Sequence, residues 1–499
     1  MKQRRRSLLG LALLGGMNGL LRAAPKAPSG LAPKAPSGLA PKAPSGLAPP
    51  APSGLAPKAP SGLAPKATSI GSDATPDGAF GTDLDAELAA IASDPACQLA
   101  SLSVLAIRHG KVSYERQFGQ RRIGSSSGTG ATPALPANVN TMYRIASISK
   151  MMTTLGVMML VEQGKLALDL DAGNYLGFPL RNPHFPGRAI TLRTLLTHRS
   201  SLRDDAGYSW PCDTALSSIL VPGAARYGKG EMWANHAGPG DYFTYCNLNW
   251  GVIGTIMERV TGERFDRLMK RLLLTPMGLH GGYNPSEFPP ADLANVATIY
   301  RKRTVDTEVW DAAGPWIAQV DDYSERAPQP PAGIAAYVIG TNATPFSPTG
   351  GLRISAHDMG QVMLMLMNEG VHGGRRLLKP ATIAAMFTPQ WRHEGEGDKE
   401  GNGDTYRGLF NCWGLGNQQF PDRAGMQLID AGGFAAAGHL GDAYGLRSVF
   451  VFDAATRNGM VVLVGGTSVD PETQRGTYSP MARFEERTLS ALYRRAIQG

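Results

Sequence analysis

Two serines and a lysine stand together in YRIASISK, residues 143 to 150. A serine hydroxyl becomes a strong nucleophile only when a base removes its proton, and Lys150 is the adjacent candidate. The segment ISKMMTTLGVMMLVE, Ile148 to Glu162, is apolar nearly all the way round and ends near Gly164, a pattern that predicts a buried helix. Ser147 then stands at the helix N-terminus, where free backbone N–H groups and the helix dipole favour developing negative charge. At about 100° per residue, Lys150 lies about 60° round from Ser147, on the same face and one turn on. Ser149 points elsewhere, so Ser147 is the candidate nucleophile.

A free lysine, with a pKa of roughly 10.4, is a poor base at neutral pH, but burial disfavours the ammonium form. Two routes follow. A neutral Lys150 accepts the hydroxyl proton itself, or a charged Lys150 makes a tyrosine act as the base. The spacing leaves both open. Ser-x-x-Lys also occurs at many ordinary helix starts, so its meaning depends on what the rest of the chain brings to it.

The elements that position this helix come from both ends of the chain. AELAAIA, residues 86 to 92, reads as a helix, and LASLSVLAIRHGKVSYERQFG, residues 99 to 119, as a hairpin turning at His109 and Gly110. LRSVFVFDAATRNGMVVLVGG, residues 446 to 466, is a second hairpin, and SPMARFEERTLSALYRRAI closes the chain as a helix. Helical patterns dominate between. The expectation is an α/β plus all-α architecture: an antiparallel sheet built from both chain ends, flanked by helices, with a helical domain inserted.

Several further segments occur in a telling order: ITLRTLLTHRSSL, PGDYFTYCNLNWGVIGTIMERVTGERF, SPTGGLRISAHDMGQVMLMLMN and GHLGDAYGLRSVFVF. Together with YRIASISK they resemble the penicillin-recognising serine hydrolases, in the branch of class C β-lactamases, D-alanyl-D-alanine carboxypeptidases, D-aminopeptidases and related esterases. The resemblance runs over most of residues 85 to 495 and implies the β-lactamase/DD-peptidase fold. It implies catalysis by Ser147, Lys150 and Tyr245, with Asn247, His439, Gly441 and Asp442 binding substrate. A phenol near a lysine can pass a proton between Ser147 and the leaving group, and the Asn247 amide can bond both lysine and substrate. Gly441 would let backbone and substrate approach closely, and the N–H groups of Asp442 and Ser147 would form an oxyanion hole. The chain departs from the pattern at Leu440, where a hydroxyl would help hold a substrate carboxylate, and Arg447 is a candidate replacement for that contact. Arg199 and Ser201 stand where Thr and Gly are usual. His198 is expected to buttress the core and Cys246 to be a packed thiol.

The net charge of +8 over 499 residues sits at the front of the chain. Residues 1 to 66 hold ten Lys or Arg and no Asp or Glu, leaving 39 basic against 41 acidic residues beyond, a net of −2. A nucleic-acid-binding surface is therefore not expected on residues 67–499, the expected hydrolase domain. Residues 1–23 read as an export signal and residues 24–66 as a Pro-rich linker of APKAPSGL octads, extended and basic. Export implies a periplasmic or secreted enzyme, with the linker a plain spacer or a contact to an anionic cell envelope. In that setting the four cysteines permit disulfides, Cys212 with Cys412 being one pairing.

No His-Glu-x-x-His pair or phosphate-cradling Gly-x4-Gly-Lys-Ser/Thr loop is present. The expected activity is acyl-enzyme hydrolysis of amide bonds in D-amino-acid peptides or β-lactams, with no cofactor and no metal. A carboxyl-esterase or a weakly catalytic peptidoglycan-binding protein are the alternatives.

Overall fold

Residues 80–124, 132–395 and 401–499 are described by the computed structural model. The expected export signal and octad linker lie outside the described residues.

Among the described residues, nine strands form the central sheet: β1 (Ser101–Arg108), β2 (Lys111–Arg122), β3 (Leu135–Pro136), β4 (Trp391–Arg392), β5 (Cys412–Trp413), β6 (Gln418–Phe420), β7 (Ala436–Ala443), β8 (Leu446–Asp453) and β9 (Asn458–Val464). Their order across the sheet is β4-β5-β6-β7-β8-β9-β1-β2-β3, and every neighbouring pair is antiparallel. The two ends of the chain thus meet at the β9–β1 seam, where Val104 sits opposite Val462. The β1–β2 hairpin turns at His109 and Gly110, both left-handed at φ 49° and 75°, the backbone that a tight two-residue turn requires.

Alternation along these strands divides the core into two faces. Leu102, Val104, Val449, Val451, Met460 and Val462 face the terminal helices α1 (Phe80–Ala92) and α5 (Arg483–Leu492). Leu105, Ile107, Phe450, Phe452, Val461 and Leu463 face the inserted helices α2 (Ile148–Glu162), α3 (Leu248–Thr261) and α4 (Ala356–Met367). Every residue of α2 from Ile148 to Leu160 is buried, as its uniformly apolar sequence requires. Within residues 295–345 the chain forms two antiparallel strands, Ile299–Lys302 and Trp316–Val320.

Three features fix the start of α2. The Met142–Arg144 strand pairs with Arg353–Ser355, leading the chain directly into Ile145 and Ser147. Ile145 donates its N–H to Leu352 O at 3.0 Å, and Ala146 then turns through a left-handed φ of 45° into the helix. A non-glycine residue held there is strained, and the pairing on either side holds it. Behind the small sheet lies a buried ion pair: Arg353 donates to both carboxylate oxygens of Asp321, at 3.0 and 2.6 Å.

The cysteine pairing is corrected. Cys97, Cys212, Cys246 and Cys412 are all buried and free. Cys412 donates to Gln419 Oε1 at 3.2 Å within the β5–β6 hairpin, whereas Cys212 lies beside Ala332, to whose carbonyl its N–H donates. Each thiol packs in its own neighbourhood.

Removing one partner of a buried ion pair leaves an uncompensated charge. Asp321→Ala is expected to cost about 3–5 kcal/mol, read as a lowered urea midpoint with an unchanged slope.

Candidate active site

The first question the sequence poses, which serine, is decided by packing. Ser149 is fully buried and its Oγ accepts from Leu352 N at 3.1 Å, a structural tie. Ser147 is half-buried at the N-terminus of α2, and its hydroxyl makes no capping bond to the helix. It is left for Lys150, whose Nζ lies 3.0 Å from Ser147 Oγ.

Lys150 has no exposure to solvent. Its Nζ also reaches Asn247 Oδ1 at 2.7 Å and Thr349 O at 3.0 Å, so three acceptors surround the three protons of an ammonium. Burial nevertheless dominates and brings the Lys150 pKa down to about 7, with the nearby Asp204 and Cys246 pulling the other way. Both protonation states are therefore populated near neutral pH.

Tyr245 and Asn247 arrive together, 97 residues beyond Lys150 in the case of Asn247, on the segment that opens α3. The Tyr245 ring is stacked between His198, at 4.3 Å between centroids, and Phe410, at 5.0 Å. Lys150 Nζ stands 4.9 Å from the ring centroid. Burial pushes the Tyr245 phenol well above its ordinary range, only partly offset by the neighbouring Ser147. The two candidate bases are thus driven apart: the amine toward its neutral form, the phenol toward its protonated form.

Asp204 organises this corner, and sequence reading missed it. Its carboxylate accepts from Asn247 N and Asn247 Nδ2, both at 2.9 Å, from Leu248 N at 3.0 Å and from Cys246 Sγ at 3.4 Å. Four converging donors call for an acceptor-only carboxylate at the N-terminus of α3. The bond to Nδ2 also fixes the Asn247 amide, turning Oδ1 to Lys150 and to Thr349 Oγ1, at 2.8 Å from the latter. Thr349 was missed as well; its contribution to Lys150 is a backbone carbonyl, to which residue type gives no clue.

His198 buttresses the site as expected. Its Nδ1 accepts the Cys246 N–H at 2.9 Å, and burial, then the charge of Lys150, holds it neutral. Ser201, where the family pattern has glycine, adopts a left-handed φ of 65°, and its Oγ accepts from Asn182 Nδ2 at 3.0 Å. Cys246 is a packed thiol whose pKa burial drives up.

The opposite wall is β7. His439 and Gly441 share the face that looks toward α2, while Leu440 packs against the cluster on the other side of the sheet. Gly441 has a steric reason: a Cβ there would sit 2.3 Å from Ile145 O, so the strand presses directly on the residues leading to Ser147. Beyond it, Tyr444 and Gly445 make a two-residue turn with φ of 59° and 95°, closed by the pair Ala443 and Leu446. In such a hairpin the closing pair exchanges backbone bonds and the next pair, Asp442 with Arg447, turns its amides outward. The edge is open there, because β6 pairs only with Ala436–Gly438. The Asp442 N–H is thereby directed out of the open edge, while its side chain lies toward Arg447.

Arg447 is corrected. It is not a free anion contact: its guanidinium donates to Glu472 Oε1 at 3.1 Å and stands 3.6 Å from Asp442, on the sheet face away from Ser147. Among the described residues no cluster of three or more His, Cys, Asp or Glu could hold a metal ion.

A half-exposed hydroxyl at a helix N-terminus, beside a buried amine and a protonated phenol, can attack a carbonyl. The sheet and inserted helical layer that frame it have the β-lactamase/penicillin-binding-protein fold. The chain belongs to the Beta-lactamase family, whose model matches residues 85–479, and so to a family of serine hydrolases. Penicillin-binding protein 4* of Bacillus subtilis is 26% identical over 178 residues, 36% of this chain and 36% of its own length. The chain thus matches about a third of that relative. The D-amino acid amidase of Ochrobactrum anthropi SV3, complexed with D-phenylalanine, aligns with a TM-score of 0.53 at 18% identity, over 83% of this chain and 96% of that one. EstCE1, a hydrolase with promiscuous acyltransferase activity, aligns with a TM-score of 0.52 at 20% identity, over 83% of this chain and 99% of that one.

Two substitutions probe the geometry. Asp204→Asn removes the anion that raises the Lys150 pKa, so the limb of the pH–rate profile that rises as the amine deprotonates is expected to move to lower pH. The same change loses about 1–3 kcal/mol of stability, because an amide N–H would face N–H donors. Gly441→Ala forces β7 off Ile145, with an expected cost of about 1–3 kcal/mol in thermal or urea unfolding and a roughly 100-fold slower acylation.

Proposed function

We propose that the chain is an exported serine hydrolase working through a Ser147 acyl-enzyme. The observation that carries this reading is the contact of the solvent-free Lys150 Nζ with Ser147 Oγ at 3.0 Å. Neutral Lys150 takes the hydroxyl proton as Oγ bonds to the substrate carbonyl carbon, and the oxyanion is held by the N–H groups of Ser147 and Asp442. The bond to the leaving group then breaks, with Tyr245 delivering a proton to it and recovering one from the Lys150 ammonium. Water repeats the sequence on the acyl-enzyme, which releases the acid and restores the Ser147 hydroxyl. Of the two routes left open by sequence, the opposed shifts of Lys150 and Tyr245 favour lysine as the base.

For substrates, we infer amide bonds of D-amino-acid peptides or β-lactams, in keeping with the structural likeness to a D-amino acid amidase. A carboxyl-esterase is the second reading. It is favoured by Leu440, which brings no hydroxyl and turns its side chain away from Ser147. The basic octad linker would act as spacer or envelope contact.

Intact-mass measurement after incubation with a fluorescent penicillin, a p-nitrophenyl ester and a D-alanyl amide tests this. An adduct or turnover in the native protein that disappears in Ser147→Ala is the expected result. Adducts that persist in the variant would remove Ser147 from the chemistry, and ester turnover without penicillin labelling would select the esterase.

A further inference from the structure

Arg144 stands just ahead of Ser147, on the short strand that leads into α2. Its Nε donates to Gly350 O at 3.1 Å, and Gly350 in turn lies against Ala146, the residue that turns into the helix. The guanidinium is thereby held beside the backbone that carries Ser147. The Tyr444 ring, from the turn that follows β7, covers one face of it, with 5.3 Å from the guanidinium carbon to the ring centroid. Among the described residues Nη1 and Nη2 have no hydrogen-bond partner and no carboxylate lies within ion-pair distance, yet the side chain is only half-buried and neither nitrogen is sealed from solvent.

The charges around it do not balance. Directly across the strand pair is Arg353, and the two arginines have one neighbouring carboxylate between them, Asp321. Arg353 donates to both of its oxygens and Tyr323 donates to one of them at 2.9 Å, so Asp321 is engaged by the other arginine. One positive charge is left over at Arg144. Burial and then Arg353 disfavour it there, and an arginine does not shed its proton in response. A carboxylate from outside the chain would complete the group through two parallel N–H donors.

The run of β7 indicates which end of a substrate such an anion belongs to. His439 lies 6.4 Å from the ring of Tyr245, which serves the leaving group; Tyr444, at the other end, lies over Arg144; and Gly441, against Ile145, falls between them. At about 3.3 Å per residue, His439 and Tyr444 are roughly 15 Å apart along this line. The acyl part of a substrate bound across Ser147 therefore runs toward Arg144. Tyr208 belongs to the same end: burial pushes its phenol up, Tyr444 and Asp204 add to this and Arg144 opposes it. Neither its hydroxyl nor that of Tyr444 has a hydrogen-bond partner among the described residues, so both are available to donate.

We propose that Arg144, with the phenols of Tyr208 and Tyr444 beside it, is an anion subsite that selects substrates whose acyl group ends in a carboxylate. The inference rests on the serine-hydrolase reading and deepens it. Within the substrates inferred above, it singles out D-amino-acid peptides with an acidic residue on the acyl side of the cleaved bond and β-lactams whose side chain carries a carboxylate, and it places no demand on the leaving group.

Two p-nitrophenyl esters that differ only at the far end of the acyl chain test it: the monoester of adipic acid, and the same ester with its free carboxylate replaced by a carboxamide. Turnover is counted as that lost in Ser147→Ala. The native protein is expected to favour the adipate in kcat/KM by about 10- to 100-fold, as hydrogen bonds between charged groups are worth. Arg144→Gln is expected to bring the ratio close to one and Arg144→Lys to restore part of it, whereas an arginine with a purely structural role would slow both esters alike. For 3-acetoxybenzoate against 3-acetoxybenzamide, which move the anion to the leaving group, the ratio is expected to be the same with and without Arg144. A native adipate ratio near one, a ratio that survives Arg144→Gln, or an Arg144-dependent preference confined to the leaving-group pair would each overturn the proposal. Should Arg144→Gln not fold, Tyr444→Asn, which suits the left-handed turn before Gly445, takes the ring from the guanidinium and is expected to lower the adipate ratio; a ratio it leaves unmoved counts against the subsite. If Ser147 turns over none of these esters, the hydrolase reading itself falls, a result distinct from turnover without preference.

Discussion

A lysine amine held out of water against a serine hydroxyl is the constraint on which the rest of the site depends. Placing Nζ among Ser147 Oγ, Asn247 Oδ1 and Thr349 O satisfies every ammonium proton, yet burial still brings the pKa from 10.5 to about 7. That change corresponds to roughly 5 kcal/mol of disfavoured charge. Much of the surrounding structure serves to keep the amine dry and fixed. The apolar girth of α2 seals one side, Trp250 lies 5.7 Å from Nζ on another, and Asp204 holds Asn247 in the one amide orientation that presents oxygen rather than nitrogen.

The same economy governs the opposite wall. A glycine at 441 allows β7 to press on Ile145, the tight turn at Tyr444 and Gly445 sets which amides face the open edge, and the carboxylate of Asp442 is drawn to the far side near Arg447. Backbone thus meets the site while that carboxylate is kept from it. His439 fits this arrangement: a neutral ring pinned by the adjacent carbonyl.

What could be read from the chain alone was whatever local pattern encodes. An unbroken apolar stretch fixed α2 to its final residues, Ser147 and Lys150 followed from helical spacing, and two hairpins announced the sheet. The resemblance to a known family supplied Tyr245, Asn247, His439, Gly441 and Asp442; of these, Asn247 bonds Lys150, the Tyr245 ring stands beside that amine and Gly441 lets β7 press on Ile145. Asp204 was illegible because its partners begin 42 residues away and its own surroundings, LRDDAG, look like any polar turn. Thr349 meets Lys150 through a carbonyl that every residue possesses. The Cys212–Cys412 pairing failed because cysteine content says nothing of where two thiols pack, and Arg447 was misjudged because its carboxylate partner Glu472 lies on a separate segment.

The most direct measurement is the titration of Lys150 itself, followed by the carbon resonance next to its amine in protein carrying isotope-labelled lysine, and assigned by its absence from Lys150→Arg. One lysine resonance titrating near pH 7 is the expected result. A Lys150 that titrates near 10.5, like an ordinary lysine, would contradict the assignment of this amine as the base that activates Ser147.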